Sequence, residues 1–292
     1  MPATYHWDDW SLDQLMAAKG ETRVSLVVPA RNEAATVGAV VTRVREALLD
    51  TVGLLDEVIV IDSDSTDATF EVATDAGAKV YRSADIRPDL GSFRGKGEAM
   101  WKSLFVAGGD VLVFMDADLL DWDTHFVPGL LGPLLTSPEV NLVKGFYERP
   151  GLEGPLEGGR VTELVARPLI ALLYPELSGL VQPLAGEWAV RREHFASLAV
   201  PTGYAVELAA LIDTPAEQIA QVDLGVRAHR HQALRDLGGM ATQILAAALA
   251  RAGVREAGID APLTQYLHSA SGPEPDIRHV VNTERPPARD HL

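Results

Sequence analysis

In Asp110-Val111-Leu112-Val113-Phe114-Met115-Asp116-Ala117-Asp118, five consecutive apolar residues run straight into two carboxylates separated by one alanine. Neither alternate set of side chains in the run is polar, which reads as a strand buried on both faces. The unit recurs upstream. Val24-Ser25-Leu26-Val27-Val28-Pro29, Glu57-Val58-Ile59-Val60-Ile61 and Lys79-Val80-Tyr81-Arg82 are strands, with helical spacing between them. Val37, Val40, Val41, Val44 and Leu48 predict a helix capped by Asn32; Asp67 to Gly77 predicts a second, closed by glycine; Gly97 to Val106 predicts a third. Apolar strands alternating with helices make an α/β fold, with a mostly parallel central sheet flanked by helices.

Ligands of such sheets bind beyond the carboxyl ends of the strands. Three of these ends carry polar clusters, Pro29 to Glu33, Asp62 to Asp67 and Asp116 to Asp118, so all three are expected along one rim. After Asp118 the alternation loosens. Leu142 to Tyr147 reads as a strand, the Gly/Pro-rich Pro150 to Gly159 as a mobile loop, and Thr162 to Leu173 as a helix. Gln221 to Val226 is a strand and Asp236 to Ala252 an Ala-rich helix suited to internal packing or to a homodimer. Residues before Glu21 read as an amphipathic lead-in, and residues 269–292 as a loosely ordered, flexible tail.

The 292 residues carry a formal charge of −16, which argues against nucleic-acid binding, since that needs a basic footprint. With no cysteine, disulfides, thiolate metal sites and cysteine nucleophiles are excluded. No apolar stretch is long enough to span a bilayer, and Met1 to Tyr5 has no basic segment leading into an apolar one; no membrane association and a cytoplasmic location are expected. An acidic chain that binds phosphates must gather its cations locally.

It does so in three places. Arg94-Gly95-Lys96-Gly97-Glu98-Ala99 sets a lysine between glycines at a helix start, an arrangement suited to an anion, though not a P-loop. Gly158-Gly159-Arg160-Val161-Thr162-Glu163 repeats the design with an arginine and a hydroxyl. Arg227-Ala228-His229-Arg230-His231 follows a strand; His229 can offer an imidazole to a metal while Arg227 or Arg230 meets phosphate. Asp116 and Asp118 are hard oxygen ligands of the kind that Mg²⁺ or Mn²⁺ takes beside diphosphate. A bare D-X-D is common by chance, and its place after a buried strand is what raises its weight. Gly186 in Pro183-Leu184-Ala185-Gly186-Glu187 points to close backbone approach to a ligand, and Glu187 or Glu207 to a sugar-hydroxyl partner or, equally, a salt bridge or cap. Asp62 to Asp67 suits ribose or base, or an N-cap at Asp64 or Thr66.

In order along the chain, VVPARNE, DSDSTD, RGKGEA, DAD, GGRVTELVARP, PLAGE, GYAVE and RAHRH resemble the GT-A (Rossmann-like) glycosyltransferases, and most closely the glucosyl-3-phosphoglycerate synthases and mannosyl-3-phosphoglycerate synthases. The resemblance runs from about Trp7 to Gly253 and implies a retaining hexosyl transfer from a UDP- or GDP-hexose to the C2 hydroxyl of 3-phosphoglycerate. It implies a nucleotide-sugar-binding half over residues 1–145 and an acceptor-binding half of the same domain over 146–268. Pro29, Ala30, Glu33 and Ser63 resemble contacts to the nucleoside, Lys96 the diphosphate contact, and Asp116, Ala117 and Leu184 further donor contacts. Asp118 and His229 resemble the ligands of the divalent cation, Mg²⁺ or Mn²⁺. Gly159, Arg160, Thr162, Tyr204 and His231 resemble the acceptor pocket, while Glu207 resembles the residue holding the donor hexose.

Asp118, Lys96, Glu207 and Arg227 are thus the expected catalytic set. No carboxylate nucleophile is nominated, because a diphosphate leaving group needs charge stabilisation rather than a strong acid. Ala117, Ala185 and His231 depart from the pattern of many glucosyl enzymes, leaving glucose favoured over mannose only slightly. A polyprenyl-phosphate glycosyltransferase shares the early motifs but not Gly-Gly-Arg-X-Thr. A nucleotidyltransferase would open with a glycine-rich basic loop. A non-catalytic nucleotide-sugar sensor would need neither the metal pair nor an acceptor site.

Overall fold

The structure, a computed structural model, describes residues 2–148, 159–227, 235, 237–269 and 271–292. Its centre is an eight-stranded sheet of β1 (Ala3–His6), β2 (Val24–Ala30), β3 (Glu57–Asp62), β4 (Lys79–Arg82), β5 (Val111–Phe114), β6 (Leu142–Glu148), β7 (Trp188–Arg191) and β9 (Ile219–Val226), in the order β1-β9-β6-β7-β5-β2-β3-β4. Every neighbouring pair is parallel except the two that β7 makes, with β5 and with β6. One reversed strand has a consequence for chemistry: the N-terminal end of β7, carrying Gly186 and Glu187, lies at the rim where its neighbours end. The same sheet runs through both expected halves of the chain.

Period-two alternation divides the core between the two faces. Val111, Val113 and Met115 join Leu26, Val28 and Val60 under α1 (Leu12–Lys19), α2 (Val37–Val44) and α5 (Phe126–Thr136). Leu112 and Phe114 join Val27 and Ile59 on the opposite face, under α4 (Lys96–Ser103), α6 (Arg167–Leu173), α8 (Val206–Ile212) and α9 (Leu237–Arg251). The other α-helices among the described residues are α3 (Thr69–Asp75), between β3 and β4, and α7 (Arg192–Ala196), after β7. In α9, Ile244, Ala246, Ala247 and Ala248 are buried, so much of its alanine face packs internally.

Several local expectations are corrected. The helix expected to begin at Asn32, α2, starts at Val37, because Asn32 adopts a left-handed conformation with φ 56°. Its side-chain oxygen instead accepts from the Thr66 amide at 2.8 Å, and its own amide donates to Ser65 Oγ at 2.9 Å, tying two rim loops together. Neither Asp64 nor Thr66 caps the next helix: Asp67 accepts from the Thr69 amide at 3.0 Å, just ahead of α3. The lead-in is β1 followed by α1, whose Ser11 and Gln14 form a reciprocal capping box.

The expected loose tail is corrected too. β10 (Ala261–Ser269) and β11 (Gly272–Val280) form an antiparallel hairpin, and β12 (Glu284–Arg285) pairs antiparallel with β8 (Val200–Pro201). Pro, Arg and Asp bias the composition towards disorder, but here Arg285 and Ala288 are buried. Among the described residues, no helix is long and apolar enough to cross a membrane.

Candidate functional site

Continuing the alternation of β5 places Asp116 on the side of Leu112 and Phe114, the face covered by α4 and α8, while Ala117 is buried with Met115 on the other. Lys96 opens α4, and Glu207 sits in the first turn of α8. The three meet: Lys96 Nζ is 2.6 Å from Asp116 Oδ1 and 2.7 Å from Glu207 Oε1. A lysine ammonium has three donors, so a third N–H remains beyond these two partners for a ligand oxygen.

The glycines around Lys96 do different work from that expected. A Cβ on Gly95 would stand 2.2 Å from Thr202 O, and one on Gly97 would stand 1.9 Å from Pro201 O. Gly97 N donates to Gly203 O at 3.2 Å and Glu98 N to Thr202 O at 2.9 Å. The Gly97 and Glu98 amides are thus engaged by the chain itself, while the Lys96 side chain reaches the rim carboxylates. Gly186 is likewise close to protein rather than open to a ligand. A Cβ there would lie 2.1 Å from Asp116 Oδ2, so only glycine lets this carboxylate stand against β7.

A second cluster lies at the ends of β6, β7 and β9. Arg227 donates to both Glu187 carboxylate oxygens at 2.8 and 2.9 Å and to Tyr147 Oη at 2.6 Å, and its Nη2 is 3.9 Å from Asp118 Oδ1. Glu187 is fully buried, so of the two readings open for it the salt bridge holds. Asp118 is 42% exposed, the most open carboxylate of the group.

Electrostatics separate the two aspartates. Burial pushes Asp116 up, but Lys96 and Arg227 outweigh it and hold the carboxyl at about 2. Burial and then the neighbouring Asp116 push Asp118 above its ordinary value. Lys96 is raised because Asp116 and Glu207 overcome the opposing effect of burial, and Arg227 because Glu187 and Tyr147 do the same. A cation beside Asp118 would relieve the repulsion that raises it. Among the described residues no cluster of three or more carboxylates or imidazoles is assembled; Asp118 is the open carboxylate that could serve a hard divalent ion, while Asp116 is a charge held by Lys96.

Lys144 was not foreseen. It occupies β6 opposite Trp188, is 1% exposed and donates to Ala185 O. Burial lowers its pKa to about 8, despite the opposing pull of Glu207. A charged residue inside the apolar Leu142-Val143-Lys144-Gly145-Phe146-Tyr147 run was the available signal.

The other expected residues fall as follows. Pro29 and Ala30 end β2, Glu33 follows in the loop with its amide bonded to Thr69 Oγ1 at 2.8 Å, and Ser63 follows β3 with its amide bonded to Ala30 O at 2.9 Å. These share one corner of the rim. Leu184 precedes Ala185 and Gly186. Gly159 accepts from the Glu163 amide at 3.0 Å, at the start of the helical turns that carry exposed Arg160 and buried Thr162. Tyr204 is 48% exposed, with its amide bonded to Gln243. His229, Arg230, His231 and, of the expected mobile loop of residues 150–159, all but Gly159 lie outside the described residues.

Residues 25–172 match the family described as Glycosyl transferase family 2. The chain is 47% identical over 286 residues to a glucosyl-3-phosphoglycerate synthase from Mycolicibacterium smegmatis, covering 95% of this chain and 93% of that one. It superposes with TM-score 0.90 and 43% identity on the Mycobacterium tuberculosis glucosyl-3-phosphoglycerate synthase solved with Mn²⁺, UDP and phosphoglyceric acid, covering 100% of this chain and 99% of that one. The same enzyme solved with Mn²⁺, UDP-glucose and phosphoglyceric acid gives TM-score 0.89 at 42% identity, with the same coverage.

Proposed function

Since the chain belongs to glycosyl transferase family 2 and, within it, to the glucosyl-3-phosphoglycerate synthases, we propose that it transfers glucose from UDP-glucose to the C2 hydroxyl of 3-phosphoglycerate with retention. The observation that carries this reading is the Lys96 ammonium, held between Asp116 on the donor side and Glu207 on α8.

A bound Mg²⁺ or Mn²⁺ would supply Lewis-acid stabilisation of the departing diphosphate. Asp118 and His229 are the residues proposed to hold it. Pro29, Ala30, Glu33 and Ser63 form the nucleoside end, and Asp116, Ala117 and Leu184 continue the donor pocket. Lys96 offers its third N–H to a diphosphate oxygen, where charge grows as the glycosidic bond breaks. Arg227, locked by Glu187 and Tyr147, contributes a fixed positive charge beside Asp118. Glu207 is proposed to bind hexose hydroxyls, its carboxylate oriented by Lys96. Arg160, Thr162, Gly159, Tyr204 and His231 form the proposed acceptor pocket, in which guanidinium and hydroxyl meet phosphate or carboxylate.

Of the four carboxylates grouped around Lys96 and Arg227, Asp116, Glu187 and Glu207 are each ion-paired at under 3 Å, and Asp118 faces Arg227, so none of these four is a free nucleophile. Front-face transfer, in which the departing phosphate helps take the acceptor proton, agrees with that arrangement. Trapping of a covalent glucosyl-enzyme would contradict it. A panel of UDP-glucose, GDP-glucose and GDP-mannose, each with 3-phosphoglycerate and metal, tests the donor. UDP-glucose is expected to turn over fastest, and preference for a GDP-sugar would overturn that part of the reading. The work is placed in the cytoplasm, where phosphorylated acids and nucleotide sugars meet.

A further inference from the structure

The C-terminal strand reaches the backbone that carries the catalytic lysine. Glu284 and Arg285 pair with Pro201 and Val200, and the Thr202 amide donates to Thr283 O at 2.9 Å. Pro201, Thr202 and Gly203 are the same residues whose carbonyls stand against Gly95 and Gly97 on either side of Lys96. Arg285 then crosses to α4 and donates to both oxygens of Glu98, at 2.7 and 2.5 Å. It also donates to Leu90 O at 2.7 Å and to Gly91 O at 3.0 Å, in the loop leading into α4. Its guanidinium lies over Phe93 and Trp101, 4.4 and 4.6 Å from their ring centroids. Glu98 is fully buried and Arg285 6% exposed.

We propose that Arg285 is a positioning residue for the transfer reaction: through Glu98 and the carbonyls of residues 90 and 91 it fixes the direction in which Lys96 meets the donor diphosphate. A buried ion pair is a weak source of stability, because desolvation offsets much of its attraction. Here every partner of the guanidinium lies within six residues of Lys96, and the opposite side of that turn is held by the loop that β12 itself secures. The strand therefore acts as a strap across the segment that delivers Lys96. The inference rests on the proposed donor role of Lys96.

Arg285→Met and Arg285→Lys test it, with thermal unfolding, affinity for UDP in the presence of Mn²⁺, and separate KM values for UDP-glucose and 3-phosphoglycerate as readouts. In folded Arg285→Met, UDP affinity is expected to fall roughly tenfold or more, since small displacements of a positioned group cost that much. Arg285→Lys should recover part of it, and KM for 3-phosphoglycerate should move less than KM for UDP-glucose. A folded Arg285→Met protein with unchanged UDP affinity and donor KM would overturn the proposal. If that variant does not fold, hydrogen exchange on the wild-type protein decides. Adding UDP and Mn²⁺ should slow amides of residues 95–98 and 283–285 together, and slowing confined to 95–98 would overturn it. The UDP arms need no acceptor, so a failure of turnover with 3-phosphoglycerate would count against the function reading while leaving this test intact.

Discussion

Lys96 Nζ lies 2.7 Å from Glu207 Oε1, an ion pair that joins the start of α4 to the start of α8 across the rim of the sheet. It makes one charge network of what the sequence presents as two motifs more than a hundred residues apart. The same lysine also holds Asp116 at 2.6 Å, so the donor diphosphate proposed to meet it would join a cation that already has two buried or half-buried partners.

Removing that lysine should therefore cost stability as well as rate. Lys96→Met leaves Asp116 and Glu207 without their shared cation, and a loss of about 3 kcal/mol is expected for such an uncompensated buried charge. The kcat should fall roughly 10²-fold or more through loss of charge stabilisation. Denaturant unfolding and steady-state kinetics check both, and a variant of wild-type stability would show that the pairs in the unliganded protein matter little.

Asp118 behaves differently because it is more exposed and pushed up by its neighbour. Asp118→Ala should stay within about 0.5 kcal/mol of wild-type stability, as expected of a surface change. It should lose Mn²⁺-dependent UDP binding, measured by titration calorimetry with and without metal. Retained metal dependence would remove Asp118 from the metal site.

Gly186→Ala tests how tightly β7 meets Asp116. The added carbon would have to displace the carboxylate from a 2.1 Å approach, so overpacking of about 1–3 kcal/mol is expected, with reduced activity. A stable, fully active variant would show that the carboxylate can move aside.

Lys144 gives a pH signature. Its folded pKa is lowered from 10.5 to about 8, so between those values the unfolded chain holds more protons at this site than the folded one. Its contribution therefore makes stability rise with pH across that window and is constant below it. In Lys144→Met this contribution is absent. The difference in unfolding free energy, wild type minus variant, should increase from pH 8 to 10.5; a flat difference would contradict the buried, discharging lysine.

The parallel strands were legible because β2, β3 and β5 are apolar on both faces, and the rim followed from their ends. Lys96, Asp116, Asp118, Glu207 and Arg227 were legible as motif residues, and the structure brings them into two adjoining clusters. What sequence spacing could not convey was the purpose of the glycines. Gly95, Gly97 and Gly186 read as ligand cradles, yet each makes room for the chain's own carbonyls or carboxylate. β12 was equally hidden, because pairing through two residues leaves no periodic signal, and Arg285 looks like any arginine in a polar tail. Glu187 was visible only as one of several readings and Lys144 only as a charge in an apolar run, because their burial depends on partners distant in sequence, Arg227 and Ala185.

The most direct measurement is proton NMR of the purified protein with UDP-glucose, 3-phosphoglycerate and Mg²⁺. The expected result is metal-dependent release of UDP with an α-anomeric signal of glucose linked at C2 of 3-phosphoglycerate. Absence of that product with a folded, UDP-binding protein, or formation of a β-linked one, would contradict the assignment of retaining glucosyl transfer to this site.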